Sequence, residues 1–332
     1  MPRSKRIEIP GAVYHVIVRG IEGREIFRHD FDREEFLRRL ERGIKETACR
    51  CFAWALMPNH IHLLISTAEN PLSELMRKIL TGYAIYFNRK YNRSGYLFQN
   101  RYKSILCQED TYLLELVRYI HLNPLIGGVV KTLEELDKYW WTGHAVLLGK
   151  RERAWQQAEE IWSRFAERKE DAINEYKRFI ASGSTMGKRN DLVGGGLRRS
   201  EAGWKSAGET GLSHRRSDER ILGDPQFVER VLKAADEKLE KRERLIRAGW
   251  DLEKLVNRVC SQFSVSRDDL RRKGRKNKIS NAKSLIAYLG CKELGVNKTE
   301  IAKVLGATKQ AVGRAVEIGE TISRTSGINL LS

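Results

Sequence analysis

The sequence predicts an α+β protein: a ferredoxin-like antiparallel sheet with helices on one face, followed by a separate all-α domain that contains a helix-turn-helix. Three observations carry that expectation. Between residues 11 and 107 the apolar pattern switches between alternation and helical spacing in the order strand, helix, strand, strand, helix, strand, which is the order of a split β-α-β layer. Residues 182 to about 224 are rich in Gly, Ser and charge, with Gly194, Gly195 and Gly196 at the centre, as expected of a linker. Beyond them the apolar residues recur at helical intervals. The implied organisation is a first domain at residues 1–145, a helical extension and Gly/Ser-rich linker at 146–225, and an all-helical domain at 226–332.

Each element has a local reason. Residues 11–20 have the β-branched enrichment and alternation of a first strand, in which His15 reads as structural. From Asp32 to about Thr47, Phe36, Leu37, Leu40 and Ile44 recur at helical intervals among charges, which describes an amphipathic helix. Residues 51–56 and 60–66 form two strands joined at Met57, Pro58 and Asn59, where proline ends the first strand and asparagine supplies turn chemistry. Pro71 sits at a first-turn position of a helix through Leu75, Ile79, Tyr83, Ile85 and Phe87, which ends near Tyr91 before the break at residues 92–95. Residues 96–106 read as a loop leading into a fourth strand. Asp110 can cap a helix over residues 111–123 that Pro124 stops. Residues 152 to about 180 read as a further charged helical run, and residues 227 to about 249, 252–263 and 280–294 as helices of the last domain.

Composition narrows the function. The 61 Lys and Arg outnumber the 43 Asp and Glu, leaving a net charge of +18, so a polyanion is the expected partner. The cations are spread through folded-looking segments and do not gather beside an apolar anchor, which favours nucleic acid over a membrane surface. No run of about 18 or more uncharged apolar residues exists, and the basic start leads into a strand and not into a signal-peptide core, so a cytoplasmic protein is expected. Cys49, Cys51, Cys107, Cys260 and Cys291 are scattered and lack paired spacing, as in reduced, packed thiols.

Candidate chemistry centres on His60 and His62. On a strand these side chains project from one side while Ile61 and Leu63 project from the other, aiming two imidazoles at one point. That pattern suits a divalent metal, and equally a half-buried strand with a polar edge. Residues 96–106 interleave aromatic and basic side chains, including Arg101 and Lys103, a pattern shared by single-strand nucleic-acid sites and ordinary edge strands. Tyr119 and Asn123, four apart, share a helix face, with Tyr112 two turns earlier on roughly the same side. Residues 298–316 read as a short helix, a turn through Gly306 and a second helix capped by Thr308, with Lys309, Gln310 and Arg314 exposed where major-groove contacts are made. Seven cations against two acids at residues 266–278 precede it.

Residues 1 to about 145 resemble the single-tyrosine HUH transposases, and among them the REP-associated tyrosine transposases, in three motifs. These are Met57-Pro58-Asn59-His60-Ile61-His62-Leu63-Leu64, the segment from Gly95 to Ser104, and Val117-Arg118-Tyr119-Ile120-His121-Leu122-Asn123-Pro124. The resemblance implies that His60 and His62 are metal ligands and that Tyr119 is the nucleophile. Asn123 stands where related insertion-sequence transposases often have a glutamine as third ligand, and it keeps an amide oxygen there. Residues of about 250–322 look like the DNA-binding domain of the replication initiator DnaA, an appendage that typical family members lack.

The expected activity is metal-dependent cleavage and rejoining of single-stranded, hairpin-forming DNA through a 5′-phosphotyrosine, with duplex DNA held by the last domain. Mg²⁺ or Mn²⁺ is expected over Zn²⁺, because an amide oxygen and waters complete the shell and no thiolate is offered. The free phenol pKa of about 10 requires a nearby cation to help Tyr119 lose its proton. The resemblance also allows a homodimer, as in many insertion-sequence relatives, or a monomer, as REP-associated members can be. A domesticated sequence-specific DNA-binding protein without transposition activity is the alternative; a hydrolase of small phosphoesters is poorly matched to the charge. His121 points elsewhere on its helix, as a structural residue or a DNA contact.

Overall fold

The computed structural model describes residues 6–187, 189–192, 218–272, 278–326 and 330, and it divides into two compact units, Met1–Arg230 and Val231–Ser332. The first unit is built on a five-stranded sheet in the order β2-β3-β1-β4-β5, from β1 (Val13–Arg19), β2 (Arg50–Leu56), β3 (His60–Ser66), β4 (Lys103–Cys107) and β5 (Ile221–Leu222). Its first four strands pair antiparallel, as the ferredoxin-like order requires, and β5 adds to β4 in parallel. The β2–β3 hairpin closes at Met57, whose amide donates to the His60 carbonyl at 2.9 Å.

Between the strands run α1 (Asp30–Thr47) and α2 (Leu72–Lys90), which pack on each other; Pro71 is the N-cap of α2, one residue before its first turn. The fully buried carboxylate of Asp32 joins their ends, accepting from Lys90 Nζ at 2.7 Å, the Tyr91 hydroxyl at 2.7 Å and the Arg28 and His29 amides at 3.0 and 3.1 Å. The acid near the start of α1 is thus an internal staple.

The helix α3 (Glu109–Ile126) corrects both of its expected ends. Gln108, and not Asp110, is the N-cap, and Pro124 lies inside the helix. A proline in the last turn loses only the bond to the carbonyl four residues back. The Gly127 amide still donates to the Asn123 carbonyl at 2.7 Å, and the Pro124 carbonyl accepts from Val129 at 2.8 Å.

The charged run expected over residues 152–180 is two helices, α6 (Ala158–Trp162) and α7 (Lys169–Gly183), preceded by the short α4 (Leu133–Leu136) and α5 (His144–Leu147). A buried chain of polar groups ties them to α3. The Tyr176 hydroxyl lies 2.8 Å from Nδ1 of His121 and 2.7 Å from Nδ1 of His144, whose Nε2 lies 3.0 Å from Asp137. Part of the stretch expected to be linker is structured as well: Asn190–Leu192 forms a 3₁₀ turn and Ile221–Leu222 joins the sheet. Gly194, Gly195 and Gly196 lie outside the described residues.

The division between units falls within α8 (Pro225–Arg247), five residues beyond the expected boundary at 225. The second unit continues with α9 (Leu252–Phe263), α10 (Lys278–Lys292), α11 (Lys298–Leu305) and α12 (Lys309–Ser326), around a core that includes Leu255, Leu285, Ile301 and Val312. Asn297 caps α11 by accepting from the Glu300 amide at 2.9 Å, and Gly306 ends it at φ +59°. That left-handed backbone favours glycine. Thr308 Oγ1 then accepts from the Ala311 amide at 3.2 Å, as the sequence anticipates for a cap of α12. Residues 273–277 of the basic run are outside the described part. None of the five cysteines forms a disulfide. Among the described residues no helix is long and apolar enough to cross a membrane.

Candidate active site

His60 and His62 stand on β3 with ring centroids 5.1 Å apart. Across the ladder, β1 puts Arg19 opposite His60 and Ile17 opposite His62, and Ile17 is also opposite Lys103 of β4. Directly opposed residues on antiparallel strands lie on one face. Arg19, Lys103 and both histidines therefore share one side of the sheet.

The His60 ring has a fixed tautomer. The Gly23 carbonyl can only accept, so the Asn59 amide nitrogen donating to it at 3.1 Å sets the amide's orientation and turns Oδ1 toward Nδ1 of His60, 2.7 Å away. Nδ1 carries the proton and Nε2 keeps its lone pair. Burial, with the Arg19 charge, pulls the His60 pKa down to about 4, and burial with His15, His60 and Arg19 pulls that of His62 well below its ordinary value. Both rings are neutral at pH 7, the form that binds metal.

Tyr119 and Asn123 come from α3 of the same unit. The Tyr119 ring meets that of His62 edge-on at a centroid distance of 5.9 Å, and that of His15 at 5.9 Å. Asn123, 7% exposed, donates from Nδ2 to the Tyr119 carbonyl at 2.8 Å, leaving Oδ1 as the atom with acceptor capacity. Burial raises the phenol's pKa, while a hydrogen bond from Asn123 and the charge of Arg19 oppose that rise. Tyr112 makes no ring contact with either histidine among the described residues. His121 is fully buried against Tyr176, which makes it structural and removes it as a DNA contact.

Two residues of this site escape sequence reasoning. Arg19, exposed at the end of β1, acts electrostatically on His60, His62 and Tyr119. Its place is set by Gly20: a Cβ there would lie 2.1 Å from the Arg24 carbonyl, so only glycine admits the turn that follows. An arginine before glycine at a strand end is a usable signal, but its partners depend on strand register. His15 lies fully buried with its Nε2 2.9 Å from Nδ1 of His62 and its Nδ1 3.2 Å from the Leu192 carbonyl. Alternation along β1 and β3 places it on the same face as His62, which a sequence reading with the pairing register in hand would find.

The predicted DNA-contacting residues divide between units. Lys103 lies close enough to act on the His15 ring. Arg101 is exposed just before β4, and the neighbouring Tyr102 is turned inward under the Arg6 guanidinium, 3.8 Å from the ring centroid. Lys309, Gln310 and Arg314 are exposed at the start of α12 in the second unit, while Val312 and Val316 enter its core.

Among the described residues no group of three or more His, Cys, Asp or Glu side chains converges as a metal site. Two neutral imidazoles and one amide oxygen, with no thiolate, make a sparse donor set that fits a hard divalent ion retaining waters.

A histidine pair on an inner strand, an apposed helical tyrosine and the cations Arg19 and Lys103 thus gather at one place in the first unit. Residues 9–123 match the family model of IS200-like transposases. A solved structure described as a REP-associated tyrosine transposase bound to a REP hairpin is similar over 47% of this chain and 98% of its own, with 14% identity and a TM-score of 0.38. No curated protein matches the chain.

Proposed function

We propose that this protein is a metal-dependent DNA strand transferase of the single-tyrosine type, which cuts and rejoins single-stranded, hairpin-forming DNA. The observation that carries this reading is the contact of the Tyr119 ring with that of His62, made within one chain and beside Arg19.

Tyr119 Oη attacks the scissile phosphorus, the P–O3′ bond breaks, and the phenolic proton ends on the departing 3′ oxygen. The products are a 5′-phosphotyrosine and a free 3′-OH. Because an aryl phosphodiester keeps the bond energy, a 3′-OH of another strand reverses the step and rejoins DNA without ATP. His60, His62 and Asn123 would hold Mg²⁺ or Mn²⁺, which supplies Lewis-acid polarisation of the phosphoryl oxygens. Arg19 neutralises phosphate charge and favours the phenolate, against the burial that disfavours it. Lys103 and Arg101 track the backbone of the single strand.

The second unit, by its exposed Lys309, Gln310 and Arg314 over a packed helical pair, supports duplex binding through a helix-turn-helix. That same surface favours the second reading, a domesticated DNA-binding protein whose first unit only recognises hairpins.

The test is a covalent adduct. Full-length protein with Mn²⁺ and a hairpin-bearing oligonucleotide should give a denaturation-resistant protein–DNA conjugate that Tyr119→Phe abolishes. No conjugate from wild type, or an equal yield from Tyr119→Phe, overturns the strand-transferase reading.

A further inference from the structure

We infer that His15 and the Leu192 carbonyl form a relay that sets the tautomer of His62, keeping its proton on Nδ1 and its Nε2 lone pair free for a ligand. The inference rests on the proposed metal role of His62 for its purpose, but its geometry stands apart from it.

A carbonyl oxygen only accepts, so the His15 ring nitrogen facing Leu192 at 3.2 Å must be the protonated one. His15 is fully buried with a carbonyl and an imidazole as its ring partners, where a second ring proton would leave an uncompensated buried charge, so it carries a single ring proton. With that proton on Nδ1, Nε2 of His15 can only accept. The atom it faces, Nδ1 of His62 at 2.9 Å, must therefore donate. His62 is buried too, 3% exposed, and spends its one ring proton on this bond, so Nε2 is left bare. One backbone carbonyl thus dictates the protonation of two rings in series.

The other histidine is set by the same logic with different parts, Gly23 carbonyl to Asn59 amide to His60 Nδ1. Both relays end on a backbone acceptor, which cannot flip. His60 and His62 are consequently offered as Nε2 donors before any ion arrives. Groups that orient a metal-bound imidazole in this way are commonly worth 10- to 100-fold in affinity.

Leu192 lies 177 residues from His15 and beyond the part of the chain that matches the transposase family. It is 1% exposed, so the carbonyl is held by a packed side chain. The segment outside the family match therefore supplies part of the support of the candidate metal site. His15 is a positioning residue: it acts through His62.

Two measurements on the full chain test this. In metal-free protein with ¹⁵N-labelled histidine, long-range ¹H–¹⁵N spectra at pH 7 should show His62 protonated on Nδ1 and bare on Nε2. The Nε2-protonated tautomer in wild type overturns the relay. Mn²⁺ titration followed by electron paramagnetic resonance should show affinity falling about tenfold or more in His15→Leu. His15→Gln, whose amide can donate to Leu192 and accept from His62, should recover most of it. Wild-type affinity in His15→Leu also overturns the proposal. If the tautomer and Mn²⁺ results hold while no Tyr119 adduct forms, the strand-transferase reading fails and the relay stands.

Discussion

Arg19 and His60 face each other across the β1–β3 ladder, with the guanidinium carried to the exposed end of its strand. A cation there raises the cost of protonating the imidazoles and lowers the cost of ionising the phenol, so one side chain biases His60 and His62 toward their neutral form and opposes the burial that keeps Tyr119 protonated.

Arg19→Ala should slow single-turnover adduct formation about 100-fold, the usual loss when one charge-stabilising donor is removed from such a site. Mn²⁺ affinity should be unchanged or higher, because a like charge is removed. Arg19→Lys should recover part of the rate. Rapid-quench kinetics beside Mn²⁺ titration checks all three, and a normal adduct rate in Arg19→Ala removes Arg19 from the chemistry.

Tyr176→Phe should destabilise the first unit by about 1–3 kcal/mol, because two buried imidazoles lose their shared partner. Urea unfolding read from signals of the first unit measures this. A loss below about 0.5 kcal/mol would mean that water or a shifted side chain replaces the hydroxyl.

Acid stability should depend on Asp32. Burial pushes its carboxyl up, but hydrogen bonds from Lys90, Tyr91 and the Arg28 and His29 amides outweigh burial and bring it down to about 2. A carboxyl depressed on folding stabilises fully above its unfolded pKa of about 3.9, and the benefit is lost as pH falls through about 2. That is on the order of 2 kcal/mol at neutral pH. Asp32→Asn should lower stability at pH 7 and flatten the decline between about pH 4 and pH 2, measured by thermal unfolding against pH.

Lys309→Ala and Arg314→Ala should each weaken duplex binding and lower the slope of log affinity against log salt by about 1, the signature of one lost phosphate contact. Adduct formation on short single strands should be unaffected. Unchanged slopes in both variants would remove α12 as the duplex-binding element.

Much of the first unit is legible in the sequence because its signals are periodic. Alternation gives the four antiparallel strands, Met57-Pro58-Asn59 gives the hairpin, and His-x-His on an extended segment gives a shared face. The proximity of Tyr119 to that face follows from the motif order and not from spacing alone. What is missed depends on contacts that a linear pattern does not carry. Asp32 looks like one more surface acid until the end of α2 closes on it. Pro124 looks like a stop, but in a final turn it costs one hydrogen bond and the helix runs on to Ile126. The Leu192 carbonyl has no sequence signal at all, since every residue has one. Ile221–Leu222 is too short a strand to stand out from its Gly- and charge-rich surroundings.

The outer flanks of β2 and β4 are both met by later chain. Ile221–Leu222 runs beside β4, and β2 meets Thr142 through Ala55 and Gln156 through Cys51, so later stretches of chain fasten both borders. Open strand borders are the usual sites at which a second molecule adds its own strand. A second molecule adding a strand along β2 or β4 would first have to displace these segments.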